Sequence, residues 1–404
     1  MRIAGLIAEY NPFHNGHQYH IEKTLALTNA DAVIVVMSGD FVQRGMPAIA
    51  PKHLRAQMAL KAGASLVLEL PVCFATGSAE SFSYGAVSLL DKLGCVDAIC
   101  FGSECGDIHT LQNLAKIFCE EPVEYKVALS EYLRQGNSFP TARQKAIAKY
   151  LQSDAMDAIL SEPNNILGIE YLKALYRLSS SMTPYTIERI SSHYHDKKLQ
   201  EAYSSASAIR TALQTTCFDK DVLRGQMPDS ALALLAASYQ KNFPIFANDF
   251  SLLLKYKLLG ESKETLTNYA DVSEELANRI LNKLNQYEDF EQFCELLKTK
   301  EVTYSRISRA LLHILLGIPK DTFTSPEYAR TLGFQTEAAN VLSDIKKNAA
   351  IPLLTKLTFA DKLSTNAKAM LDMDIFAGNL YGTVIADKFK TPFVHEFEKQ
   401  VVRV

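Results

Sequence analysis

An apolar run from Ile3 to Ala8, broken by Asn11-Pro12 and followed at once by His14-Asn15-Gly16-His17, fixes how this chain must begin. The run is continuous rather than alternating, so it reads as a strand buried on both faces, the kind found in parallel sheets covered by helices. Asn11-Pro12 supplies the break between strand and helix, and Pro12 removes a backbone donor where the chain turns. The helix is expected to begin near Gly16, with His14 in the loop and His17 in the first turn. Free N–H groups and the positive end of the helix dipole meet there, which favours a nucleotide phosphate. Gly16 lets a base or phosphate approach the backbone. Imidazoles donate hydrogen bonds to phosphate oxygens and stabilise charge that builds at an attacked phosphorus. The plainer reading is a chance tetrapeptide, or a histidine capping the helix. Its place between a first strand and a polar-faced helix favours phosphate chemistry. Neither G-x-G-x-x-G nor a P-loop is present.

The same alternation continues. Strands are expected at Arg2–Ala8, Ala32–Met37, Leu66–Leu70, Ala98–Gly102 and Tyr185–Ile190, with helices near His17–Thr28, Pro51–Ala62, Ser78–Leu93 and Ile108–Cys119. This is an α/β pattern with a Rossmann-like parallel sheet, whose ligands bind at the carboxyl ends of strands. A helical insertion is expected over residues 123–179, including Ala142–Leu151 and Ile166–Leu178. After Thr216 the strand signals fade into helices at Phe250–Leu259, Val272–Leu284, Phe290–Leu297, Tyr304–Leu316 and Ala338–Ala349. The expected division is a catalytic domain over residues 1–217 and a mainly α-helical domain over 218–404.

At 404 residues there is room for two or three domains, and a formal net charge of −3 gives no global attraction to nucleic acid. No apolar run approaches the ~20 residues of a membrane span, and the N-terminus lacks the features of a secretory signal, so cytoplasmic residence is the expectation. Seven cysteines without a C-x-x-C pair point to a reducing compartment and to no metal site, although Cys105 sits where it could face the ligand.

Further residues join the site by type and place. Ser207 and Arg210, at a helix start, suit an anion, against the plainer reading of a capping serine and a surface arginine. Gly102, ending the fourth strand in Phe101-Gly102-Ser103-Glu104, leaves space for an adenine or ribose, or is a turn glycine. Asp40 could hold magnesium or position the nucleophile and Arg44 could receive a carboxylate, or the two form a loop ion pair. Asn164 either caps a helix or reads a nucleotide edge. Arg189, in a strand of buried type, requires an anionic partner, either a carboxylate or a bound phosphate. Arg306 and Arg309, at i, i+3 beside Tyr304, could track RNA phosphates, though a solvated helix face is the better reading of either alone.

GLIAEYNPFHNGH, SGDFVQRG, FGSE, PNNILGIEYLKAL, SASAIR and TYSRISRALLHILLG, in this order, resemble the bacterial tRNA-Met cytidine acetate ligase family within the HxGH nucleotidyltransferase superfamily. The resemblance implies a HUP-type Rossmann-like fold. It implies a ligase that converts acetate, with ATP and Mg²⁺, to acetyl-adenylate, then acetylates the wobble cytidine of elongator tRNA-Met to 4-acetylcytidine, releasing AMP and pyrophosphate. It makes His14 and His17 the catalytic pair. It also implies a nucleotide site running through Leu6, Ile7, Ala8, Glu9, Tyr10, Asn11, Pro12 and Phe13, then His14, Asn15, Gly16, His17, Gln18, Tyr19 and His20. Gly102, Asn164, Arg189, Ser207 and Arg210 complete that site by the same resemblance, although Ala206 and Ala208 replace hydroxylated residues common in the superfamily motif. Other readings are an adenylyltransferase or acyl ligase acting on a small molecule or carrier protein, and an RNA-binding nucleotide sensor without turnover. Retention of both histidines disfavours the sensor, which needs affinity but no transition-state contacts.

Overall fold

The computed structural model describes residues 1–153, 155–189, 204–215 and 218–404. Its main sheet contains β1 (Ile3–Ala8), β2 (Ala32–Ser38), β3 (Leu66–Leu70), β4 (Ala98–Ser103), β5 (Thr183–Glu188), β6 (Ala329–Phe334), β7 (Leu353–Leu354) and β8 (Val402–Arg403). The order is β8-β6-β3-β2-β1-β4-β5, with β7 also on β6. Neighbours from β3 to β5 are parallel, whereas β6 runs antiparallel to β3. β2 is buried along its whole length, which its unbroken apolar run requires. Ile34 and Val36 enter one core, while Val33, Val35 and Met37 enter another on the opposite face.

Helices α1 (Asn15–Thr28), α2 (Lys52–Lys61), α3 (Ala79–Lys92), α4 (Ile108–Glu120), α5 (Pro163–Leu178) and α6 (Ala206–Thr215) cover the sheet. Leu89 and Leu90 of α3, Leu111 of α4 and Ile169 of α5 fill the first core; Ile21 of α1, Met58 of α2 and Ile209 of α6 fill the second. Within the expected insertion, α5 therefore packs on the sheet itself. Helices Val123–Arg134, Phe139–Leu151 and Ala155–Ser161 precede it. A third core lies among later helices, including α7 (Tyr304–Leu316) and the long α8 (Thr365–Phe389).

The chain after residue 218 does not stay helical: β6, β7 and β8 return to the first sheet, so a division at 217/218 cuts through it. β6 reads Ala-Arg-Thr-Leu-Gly-Phe, too polar for a strand signal, because a buried charge cluster holds it in place. Arg330 on β6 lies 3.0 Å from Glu69 and 2.8 Å from Glu396. Lys52, buried at the start of α2, lies 2.7 Å from Glu69 and 2.6 Å from Glu396. Burial and Arg330 oppose its charge, but Glu396, Glu69 and Asp40 hold its pKa above the ordinary lysine range. Gly378 on α8 admits this cluster, since a Cβ there would stand 2.4 Å from a Glu396 carboxylate oxygen. That glycine also hid α8 from its sequence pattern.

Lys52→Ala leaves Glu69 and Glu396 buried with one cation fewer. It is expected to cost about 3–5 kcal/mol of unfolding free energy, the range for breaking a buried ion pair. Urea unfolding of the two proteins measures this, and a loss below ~1 kcal/mol contradicts the assignment.

Candidate active site

The first turn of α1 is held by its own histidines. His14 is the N-cap, and its Nδ1 accepts the Gly16 N–H at 3.1 Å. Three residues on, His17 Nδ1 accepts the His14 N–H at 3.2 Å. The two imidazoles stack with centroids 3.7 Å apart and planes 27° from parallel. With both Nδ1 atoms accepting, each neutral ring carries its proton on Nε2, a tautomer assigned from these bonds. The capping reading and the phosphate reading are thus compatible: capping uses one nitrogen of each ring and leaves the other as a donor. Gly16 is required for a reason the sequence did not show, because a Cβ there would lie 2.9 Å from His14 Cε1. The space above it belongs to the His14 ring.

The rings stay neutral. Burial, then Arg189 and Arg210, push the His14 pKa down to about 3. Burial, followed by His14 and Arg189, puts His17 well below the usual histidine range. His20, one turn along α1, is lowered to about 4, chiefly by burial and then by Arg189.

These histidines line a cavity of about 330 Å³ at the carboxyl ends of β1 and β4. Of the expected site residues, the structure brings together Ile7, Ala8, Glu9, His14, His17, His20, Gly102, Asn164, Arg189, Ser207 and Arg210. Arg44 also reaches the wall. Arg210 spans the mouth of α6, donating to Asn11 O at 2.7 Å and to Ser207 Oγ at 3.0 Å. The capping serine of α6 is Ser205, whose Oγ accepts the Ala208 N–H. Arg189 differs from expectation: it stands one residue beyond β5 and is exposed, β5 being the sheet edge among the described residues. Its aliphatic stem lies over Gly102, where a Cβ would meet it at 3.3 Å.

Other expected residues serve the walls rather than the cavity. Leu6, Tyr10 and Phe13 are buried in the core. Asn11 is buried and holds the Ile49 N–H at 2.7 Å, while Pro12 follows a cis peptide. Asn15 turns away to Gly225 O at 2.6 Å, and Gln18 pairs with Glu22. Gly16 and Tyr19 do not reach the cavity, and Cys105 does not line it either. Asp40 does not line the cavity: it is buried beside Lys52 and accepts that residue's N–H at 2.8 Å. Glu104 does not face the cavity, because its carboxylate caps α5 through the Asn164 and Asn165 N–H groups. Far along the chain, Arg306 is exposed, whereas Arg309 is already paired with Asp271 at 2.9 Å.

Sequence reasoning missed the apolar wall made by Ala79, Phe82 and Tyr171. Phe82 sits in the first core and Ala79 opens α3, places where an apolar residue carries no mark of a ligand. Among the described residues no group of three potential ligands could hold a metal ion, and no helix is long and apolar enough to cross a membrane.

Residues 1–394 match the model of the HIGH nucleotidyl transferase family. The chain is 45% identical to a tRNA(Met) cytidine acetate ligase of Thermoanaerobacter sp. (strain X514), covering 94% of this chain and 95% of that one. It is 42% identical over the full length of both to the tRNA(Met) cytidine acetate ligase of Clostridium acetobutylicum. Two crystal structures of Thermotoga maritima TmcAL share its fold at 32% identity. The apo form has a TM-score of 0.94 over all of both chains. The form bound with alpha-thio ATP has a TM-score of 0.92, covering 100% of this chain and 99% of that one.

The depressed histidines tie stability to pH. In the unfolded chain they take up protons near pH 6.5, whereas His14 and His20 in the fold do so only near 3 and 4. Their contribution is complete above about pH 6.5 and is lost as pH falls toward 4. The urea midpoint is expected to fall over that window, with a shallower slope in the His14→Gln/His20→Gln variant. Equal pH slopes in the two proteins contradict the assignment.

Proposed function

The chain belongs to the HIGH nucleotidyl transferase family, and on that footing we propose that it is an ATP-dependent ligase that acetylates a cytidine of tRNA(Met). The observation that carries the reading is the stacked pair of imidazoles, each pinned through Nδ1 and lining a cavity at the sheet's carboxyl ends, an arrangement that leaves Nε2 of each as the available donor. ATP would lie with its base toward Gly102 and Asn164 and its phosphates toward His14, His17, Ser207 and Arg210. Acetate attacks the α-phosphorus in line, forming acetyl-adenylate as the bond to pyrophosphate breaks. The exocyclic amine of the wobble cytidine in elongator tRNA-Met then attacks the acetyl carbon. AMP leaves, the amine loses a proton and 4-acetylcytidine remains.

No covalent nucleophile is needed, so the protein supplies position and charge stabilisation. Neutral Nε2–H donors suit this role, because they bind oxygens that gain charge without losing a proton themselves. Arg189 and Arg210 add fixed positive charge. Glu9 is the carboxylate on the described wall. Magnesium held by phosphate oxygens and Glu9 would neutralise the leaving pyrophosphate, as such ions commonly use one carboxylate together with substrate phosphates. Phe82, Leu167 and Tyr171 limit water around a hydrolysable adenylate. A tRNA substrate implies work in the cytoplasm.

Labelled acetate, ATP, Mg²⁺ and tRNA are expected to yield label in a tRNA cytidine. Pyrophosphate release without labelled RNA would instead favour a small-molecule ligase. His17→Asn removes the Nε2–H while retaining a capping acceptor. It is expected to slow acetyl-adenylate formation about 10²–10³-fold, the usual effect of losing one such donor, with tRNA binding retained. A rate within about threefold of the parent would remove His17 from the reaction.

A further inference from the structure

A second cavity, of about 530 Å³, opens at the opposite edge of the sheet. It exists because the outer edge of β6 is shared: β7 pairs with Ala329 and Arg330, and β8 pairs with Gly333 and Phe334. Among the described residues no strand lies beside Thr331 and Leu332 on that edge. Its walls carry Arg330, Lys356, Lys399 and Arg403, with His53 and no carboxylate. The cations are not equivalent. Lys52, Arg330 and Lys399 are matched by Asp40, Glu69 and Glu396 in the buried cluster. Lys356 and Arg403 are exposed, with Arg403 lying over the Phe334 ring; among the described residues neither has a carboxylate partner, and together they form the local surplus. Two further observations suit a nucleic-acid guest. The hydroxyl of Thr331, in a residue only 2% exposed, has no hydrogen-bond partner. Phe397 stands on the rim with 51% of its surface exposed.

From this arrangement we propose that the second cavity is a docking site for the RNA substrate, in which Lys356 and Arg403 contact backbone phosphates and Phe397 stacks on an unpaired base. The proposal rests on the RNA-ligase reading. Cations alone would suit any polyanion, but an exposed aromatic ring beside them matches the phosphate-and-base alternation of single-stranded RNA. A chain with net charge −3 must bind RNA through a local surplus of this kind. The site also lies at a useful remove. Three strand spacings, roughly 15 Å, separate β1 from β6, so one RNA molecule can contact both cavities.

The test uses the full chain with Lys356→Ala/Arg403→Ala, and separately Phe397→Ala, all at exposed positions. Binding of a tRNA(Met) transcript is measured from low to moderate salt, beside acetate-dependent ATP–pyrophosphate exchange. The double variant is expected to bind the transcript more weakly, with the slope of log affinity against log salt reduced by about 1–2. Phe397→Ala is expected to weaken binding with the salt slope unchanged, and adenylate formation should keep its parental rate in both. Parental affinity and slope in the double variant overturn the proposal, as does an equal loss of adenylate formation. So does inorganic phosphate binding that depends on these residues while RNA binding does not. Failure of the underlying reading is separate, because it appears in the unaltered chain as tRNA that takes no label.

Discussion

The reciprocal hydrogen bonds between His14, His17 and the backbone of the first helical turn are the interaction on which the site depends. A helix N-terminus presents unpaired N–H groups that must be satisfied. Here two are met by ring nitrogens, so the cost of ordering the imidazoles is shared with the folding of α1. One set of bonds fixes ring position and tautomer, while burial and two arginines fix the charge state. A histidine near its ordinary pKa would change charge across the neutral range. This pair, with both pKa values held low, offers the same donors across the neutral range.

The rest of the fold holds that turn in place. Arg210 reaches from α6 to the Asn11 carbonyl, and Asn15 ties the start of α1 to residue 225. At the other edge, Lys52, Glu69, Arg330 and Glu396 join α2, β3, β6 and the last residues of the chain through one buried cluster. Buried ion pairs are weak evidence of net stabilisation, because desolvation opposes them. What they supply here is register. An arginine strand with little apolar character is accepted in the sheet only where two carboxylates await it. The carboxyl-terminal half is therefore committed to the same sheet as the amino-terminal half.

This explains what the sequence made legible. β2, β3 and β4 lie between other strands and are largely apolar, so their runs mark them within a residue; Glu69, the one charge among them, belongs to the buried cluster. The helix Phe290–Leu297 buries one face and shows it as periodicity, while α7 is buried from Ile307 to Leu316 except at Arg309 and shows an apolar run there. β6 is stabilised by charge, which hydropathy does not register, and α8 is buried on several sides and interrupted by Gly378 and Gly382. At the candidate site, residue types with unusual chemistry declared themselves: His14, His17, Arg189 and Arg210 all reach the cavity. Contiguity misled, since Tyr10, Asn11 and Phe13 lie within the motif yet build its support. Asp40 misled for a related reason, because an acidic residue after a strand suits a ligand site and an internal ion pair equally well. Ala79 and Phe82 gave no signal, since an apolar cavity wall and an apolar core look alike in sequence.

The protonation of the two rings is the central claim and can be observed directly. Long-range ¹H–¹⁵N correlation spectra of the histidine-labelled protein, with His14 and His17 assigned by substitution, report which nitrogen carries the proton. Both are predicted to be neutral Nε2–H tautomers with unprotonated Nδ1 from pH 8 to about 5, consistent with a His14 pKa near 3. A ring that titrates near pH 6.5, or that carries its proton on Nδ1, would contradict the account.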